Sequence, residues 1–319
     1  MNEVVEVIRM EKIEGYFLST DGVHNIHTIT WKPDGEIKCV LQIVHGMVEF
    51  VDRYDHFARF LNEKGILVVG HDHLGHGKSV NNPNEWGYFS KEDSTNKVVG
   101  DIRQLYENTK KEYSNVPHMI LGHSMGSYLL RTYLTKYSDD CDGVIIMGTG
   151  DEPKIATSFG KCFASLVAMF KGWDYRSSAV ASLSQGGVYK NFDCTGKQPE
   201  KSWLTKDVEI VKWYYNEPAC MYLFTLNGYY TLFDAVSIAC DRKKMNLVKK
   251  ELPMYIVSGS DDPVGNMEKG VKATYEGYAS AGIKNLSMTL YKGDRHEILN
   301  ETDKEKVMED IYNWIEKHL

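Results

Sequence analysis

The stretch MILGHSMGSYLL, Met119 to Leu130, constrains this chain more than any other. A short apolar run ends in Gly122-His123-Ser124-Met125-Gly126, and the residues Tyr128, Leu129, Tyr133 and Leu134 that follow have helical spacing. A strand that reverses into a helix this sharply holds its turning residue in a strained conformation and leaves no room for side chains on either flank. Glycine at 122 and 126 meets that demand. The serine between them then stands clear of the sheet at a helix N-terminus, where unpaired N–H groups favour developing negative charge.

The same strand-then-turn rhythm recurs along the chain. CVLQIV (39–44) runs into His-Gly, ILVV (66–69) into GHDH, VIIM (144–147) into GTGD, MYIV (254–257) into SGSDD, and LSMTL (286–290) into YKGDRH. Amphipathic helices are expected around Phe57, Phe60 and Leu61, around Val98, Ile102, Leu105 and Tyr106, and around Val307, Met308, Ile311, Trp314 and Ile315. Thr302 and Glu305 have the spacing of a capping box for the last of these. Such alternation predicts an α/β fold with a mostly parallel central sheet flanked by helices. The rhythm breaks over 151–245, so the expected division is a body of residues 1–150 and 246–319 with 151–245 inserted as a helical cap, or lid.

Composition removes several functions. A formal net charge of -7 opposes nucleic-acid binding, which relies on clustered Lys and Arg. The opening MNEVVEVIRMEKIEGYF lacks the apolar core of a secretory leader, and no window approaches the ~18 apolar residues of a membrane span, so a cytoplasmic protein is expected. Six scattered cysteines without a CxxC pair read as reduced thiols.

A serine hydroxyl is a weak nucleophile at neutral pH and needs a base, itself oriented by an acid. In this architecture the three follow in the order Ser, acid, His, from loops at one sheet edge. His296, in YKGDRHEILNE, is the only histidine between the last expected strand and the last helix, and is the candidate base. SGSDDPVG offers two acids, Asp261 and Asp262. Acyl transfer also needs donors for the oxyanion: the N–H of Met125, after the nucleophile, and the N–H of Met47 in VHGMVEF. His71 to Val80, HDHLGHGKSV, crowds three histidines and an aspartate together, and two of them, His71 and His73, have a spacing that can chelate. No other ligand-spaced motif accompanies them, HExxH included, so a structural loop is expected and no metal.

At these motifs the sequence resembles α/β-hydrolases of the monoacylglycerol lipase and lysophospholipase type, in the serine aminopeptidase group. The family pattern H-G-x-x-E-x-x-x-R-Y is matched at His45, Gly46, Glu49, Arg53 and Tyr54, and D-x-x-G-x-G-x-S at Asp72, Gly75, Gly77 and Ser79. The resemblance implies an α/β-hydrolase fold and a triad of Ser124, Asp262 and His296, and so selects Asp262 from the acidic pair. It also implies that Glu49 and Arg53 meet glycerol hydroxyls, although their i, i+4 spacing equally suits an ordinary helix ion pair. The polar residue that monoacylglycerol lipases carry one turn after the histidine is replaced here by Leu299.

The implied activity is hydrolysis of acyl-glycerol-type lipid esters through an acyl-enzyme, with no cofactor. The lid stripe Ile155, Phe159, Phe163, Leu166 and Phe170 is most simply read as packing onto the body. Its other readings are an acyl tunnel, with Phe159 and Phe163 binding substrate, or transient contact with a membrane surface. Rival functions are a general carboxylesterase or amidase, a proline-iminopeptidase-like hydrolase needing carboxylates for a free amine, and a non-catalytic lipid-binding protein.

Overall fold

A computed structural model describes residues 11–184 and 187–319. The first ten residues, part of the stretch read for a leader, lie outside the described residues. Eight strands form one sheet: β1 (Glu11–Leu18), β2 (Asn25–Lys32), β3 (Cys39–Val44), β4 (Ile66–His71), β5 (His118–His123), β6 (Gly143–Met147), β7 (Met254–Gly259) and β8 (Leu286–Tyr291). Their order is β1-β2-β4-β3-β5-β6-β7-β8, with β1, β2 and β4 paired antiparallel and every pair from β4 to β8 parallel. The two leading strands belong to a hairpin that the sequence reading did not locate.

The central strands are buried on both faces, so apolar residues occupy both parities of the pleat. Along β5 and β6, Met119, Leu121, Ile145 and Met147 face one cluster, and Ile120, Val144 and Ile146 face another. The first cluster is closed by α1 (Asp55–Asn62), through Phe57, Ala58 and Leu61, and by α10 (Lys304–Lys317), through Val307, Ile311 and Trp314. The second is closed by α2 (Ser94–Glu112), α3 (Met125–Tyr137) and α9 (Lys269–Ser280).

Between β6 and β7 lie α4 (Lys154–Lys171), α5 (Ser178–Ser184), α6 (Val208–Tyr214), α7 (Leu226–Ala239) and α8 (Arg242–Met245). Here α4 differs from the simplest expectation. Its buried residues are the small ones, Thr157, Gly160, Ala164 and Ala168, while Ile155, Phe159, Leu166, Met169 and Phe170 are exposed. The reason is close packing on α7: a Cβ on Gly160 would come within 2.8 Å of the Phe233 ring, so only a slim face fits there.

The capping box at Thr302 and Glu305 does not form. Asp303 holds the N-cap position of α10 with no side-chain cap bond. One residue before Thr302, the Glu301 carboxylate is drawn inward by the N–H groups of Arg295 (2.8 Å) and Lys206 (3.1 Å), and those bonds set the entry to the helix. Among the described residues no helix is long and apolar enough to cross a membrane.

Candidate active site

Strand order places the site. β4 and β5 lie on opposite sides of β3, so the loops after β3 and β5 part company there, and in open α/β sheets such a crevice at the carboxyl ends is where ligands bind. Ser124 sits at the β5–α3 junction with φ 53° and ψ -122°, outside the regions ordinary residues favour. The two flanking glycines are required by contact. A Cβ on Gly122 would meet the Gly126 carbonyl at 2.5 Å, and one on Gly126 would meet the Val44 carbonyl at 2.0 Å.

Ser124, His296, Met47 and Met125 all line a cavity of about 740 Å³. His296 is buried, and its Nδ1 lies 3.0 Å from each carboxylate oxygen of Asp262, leaving Nε2 as the ring nitrogen not turned to the acid. Asp262 is fixed in turn by Ser258 Oγ (3.1 Å) and the Val264 N–H (2.8 Å). Asp261 instead accepts from Ser260 Oγ and has no bond to the imidazole. Met125 is the first residue of α3, where backbone N–H groups lack partners within the helix. The β3 loop is pressed against the serine, because a Cβ on Gly46 would stand 3.0 Å from that of Ser124.

Beneath the cavity lies a buried polar layer. Glu49 Oε1 accepts from the Gly46 N–H at 2.5 Å and from Tyr54 Oη at 3.1 Å, and His123 Nδ1 approaches it at 3.1 Å. Burial pushes the Glu49 carboxyl up, but the His123 hydrogen bond and the charges on His123 and Arg53 outweigh it and hold it below the usual range. For His123 the balance runs the other way: burial lowers its basicity, and the bond to Glu49 and its charge raise it above the ordinary value. Glu49 reaches the cavity wall, whereas Arg53 sits behind it, bonded to Glu49 and to Glu297. Glu297 was not singled out in the sequence. Its signal was an acid directly after the candidate base, ambiguous without knowledge of Arg53's position.

The histidine-rich loop serves the same frame. His73 N–H donates to His45 Nε2 (3.0 Å), His73 Nε2 lies 3.2 Å from the His45 carbonyl, and His71 Nε2 lies 3.1 Å from His73 Nδ1. These imidazoles bond to each other and to backbone. Asp72 receives the N–H groups of Val51 (2.8 Å) and Lys78 (2.9 Å) and lies 2.8 Å from His27 Nδ1, and a Cβ on Gly77 would stand 2.2 Å from its carboxylate.

The upper wall comes from the β6–β7 segment. Phe159 lines the cavity and stacks on Phe163, which packs partly buried behind it. Trp203 stacks on the His296 imidazole at 5.0 Å and 27°, and its carbonyl accepts the His296 N–H.

An eight-stranded, mostly parallel sheet with its serine at the turn after β5 defines an α/β-hydrolase fold. The chain belongs to the hydrolase family described as serine aminopeptidase, S33, whose model matches residues 35–303. A monoacylglycerol lipase of Mycolicibacterium smegmatis is 24% identical over 316 residues, covering 98% of this chain and 100% of the relative. The monoglyceride lipase of Rattus norvegicus is 24% identical over 290 residues, covering 89% of this chain and 84% of that one. Among solved structures, a thermostable carboxyl esterase from Bacillus coagulans in complex with glycerol superposes with a TM-score of 0.88 at 26% identity, covering 97% of this chain and 99% of that one.

Proposed function

We propose that the protein is a serine hydrolase of acyl esters with uncharged head groups, monoacylglycerols foremost, working through an acyl-enzyme. The observation that carries the choice of substrate is the cavity's lining. Its Phe, Tyr, Leu, Val and Met side chains suit an acyl chain, and its charged residues are Glu49, Glu152 and Glu297, with no Lys or Arg among the described residues to receive a phosphate. This argues against lysophospholipids. The relatives named monoacylglycerol lipase and monoglyceride lipase support the same choice.

In this reading His296 Nε2 takes the proton of Ser124 as the hydroxyl attacks the carbonyl, and Asp262 fixes the tautomer and stabilises the charged imidazole. The N–H groups of Met47 and Met125 hold the oxyanion. The alcohol leaves with the proton from His296, and water then repeats the steps to release the acid.

Residues 151–245 act as a lid on the body formed by 1–150 and 246–319. The outward side of α4 is a membrane-docking surface of a protein that is otherwise cytoplasmic: Ile155 is 84% and Phe170 77% exposed, with Lys154 and Lys171 at the two ends of the helix to meet lipid head groups. A general carboxylesterase is the second reading, favoured by the likeness to the Bacillus coagulans enzyme. Comparing kcat/KM for monoacylglycerols, lysophospholipids and p-nitrophenyl esters of one acyl length decides. Monoacylglycerol is expected first; a lead for lysophospholipid overturns the head-group argument, and indifference to the head group favours the esterase. Fluorophosphonate labelling abolished in Ser124→Ala tests the nucleophile; persistent labelling there refutes it.

A further inference from the structure

We infer that Glu297, gripped by Arg53, is a positioning residue that joins the catalytic histidine's loop to the oxyanion loop as one rigid unit. This rests on the roles of Ser124, His296 and Met47 proposed above. Glu297 follows His296 directly and is almost fully buried. Its two oxygens accept from Arg53 Nη1 (2.8 Å) and Nη2 (2.7 Å), a two-pronged bond across 244 residues of sequence, and Asn300 Nδ2 adds a third at 2.9 Å. Its backbone N–H donates to the Leu204 carbonyl at 2.7 Å.

The same Arg53 Nη1 donates to Glu49 Oε2 at 2.9 Å, and Glu49 Oε1 holds the Gly46 N–H. Three charged side chains therefore run unbroken from the backbone beside Met47 to the backbone beside His296. A guanidinium fork bonded to a carboxylate by two parallel bonds fixes direction as well as distance, which a single ammonium does not. The rings of Tyr214 (5.0 Å) and Trp213 (5.8 Å) lie over the guanidinium. Burial pushes the Glu297 carboxyl up, and the Arg53 charge and hydrogen bonds pull it below its ordinary value, so it stays ionised and keeps its grip.

The competing role for Arg53 is contact with glycerol hydroxyls. Its side chain is only 4% exposed, and both terminal nitrogens already donate to carboxylates. An effect of Arg53 on catalysis must then pass through Glu49 and Glu297, and since both also line the cavity, equal loss on esters of different alcohols is what separates holding the two loops from touching the head group.

That difference is measurable. Glu297→Gln keeps the shape and removes the charge; Arg53→Lys keeps the charge and removes the fork. Each is assayed in the full-length protein on a monoacylglycerol and on a p-nitrophenyl ester of the same acyl chain, with thermal melting as the check on folding. The expected result is a fall in kcat of about 10- to 100-fold, equal on both esters, with KM little changed, as for a small misplacement of reacting groups. The double variant should lose no more than the worse single one. A loss confined to the glycerol ester and expressed in KM overturns the inference, and so does independent addition of the two effects. If Glu297→Gln does not fold, Arg53→Lys carries the test alone on the same two esters. Full esterase activity in Ser124→Ala would instead break the underlying assignment of the nucleophile, a separate outcome.

Discussion

The lower and upper walls of the cavity follow opposite rules. Below, Glu49, Arg53, Tyr54, His123, Glu297 and the histidines at 45, 71 and 73 are polar, buried and bonded to one another or to backbone. Above, α4 turns small residues inward, lends Phe159 to the cavity, and leaves Ile155, Leu166, Met169 and Phe170 exposed. Burying charges is costly unless every one is paired, whereas exposing apolar side chains is costly unless something covers them. The contrast teaches that the charges of the lower wall find their partners within the fold, whereas the apolar side chains of the upper wall are left uncovered by it, and a lipid surface is the proposed cover.

Four experiments press on that contrast. The largest effect belongs to Ser124→Ala, which should cut kcat by at least about 10⁴-fold while the protein still folds, as removal of a triad member does elsewhere; activity within tenfold of the parent would leave the lower wall without its chemistry. Next, Met169→Ser with Phe170→Ser should weaken binding to phospholipid vesicles by about tenfold or more, since each apolar side chain withdrawn from lipid forfeits on the order of 1–2 kcal/mol. Hydrolysis of a short soluble ester should be untouched; equal loss in both assays would make α4 part of the chemistry and erase the distinction.

Trp203 tests the boundary. It comes from the upper segment yet stacks on the imidazole. Trp203→Leu should lower kcat about 3- to 10-fold, because an aromatic face stabilises a charged ring by ~1 kcal/mol, and Trp203→Phe should retain most of the rate. Equal losses in both would mean the ring only fills space.

The smallest effect is on stability against pH. Burial, and after it His45, pushes His71 and His76 down to about 3, whereas an unfolded histidine titrates near 6.5. Between those values the unfolded chain binds more protons, so stability rises with pH and is lost on acidification. His27 and His123, both raised above their ordinary value, act in the opposite sense: their contribution is present below about 6.5 and fades as pH rises through their folded values. With burial lowering His45 and His73 too, the first group outnumbers the second. The melting temperature should therefore drop by several degrees from pH 7 to pH 5, equally in the parent and in the α4 double variant. Steeper loss in the α4 variant would place pH sensitivity in the upper wall.

What the sequence made legible was local. Strand, glycine, serine and helix are contiguous at 119–130, and six strands of the sheet announced themselves by short apolar runs and turns. His296 could be singled out by its place before the last helix, because the order of such loops follows from the sheet. The rest required distance information. Nothing near Glu297 reveals that Arg53, 244 residues away, will hold it. Thr302 and Glu305 carried the right spacing for a cap, but Glu301 was committed to Arg295 and Lys206. The stripe on α4 misled because amphipathic spacing tells which residues share a face, not which face turns inward; Gly160 against Phe233 decides that.

One seam deserves a last thought for anyone who would transplant the upper segment between enzymes. Arg295 reaches across to the carbonyls of Glu200, Ser202 and Thr205, and the Thr205 hydroxyl answers to the carbonyl of Asn300. Residues 200–205 are thus scaffolding for the histidine's own loop, though they belong to the segment one would exchange. A chimaera spliced at 151 and 245 would swap out that scaffolding along with the specificity, whereas a graft ending before residue 199 leaves it standing.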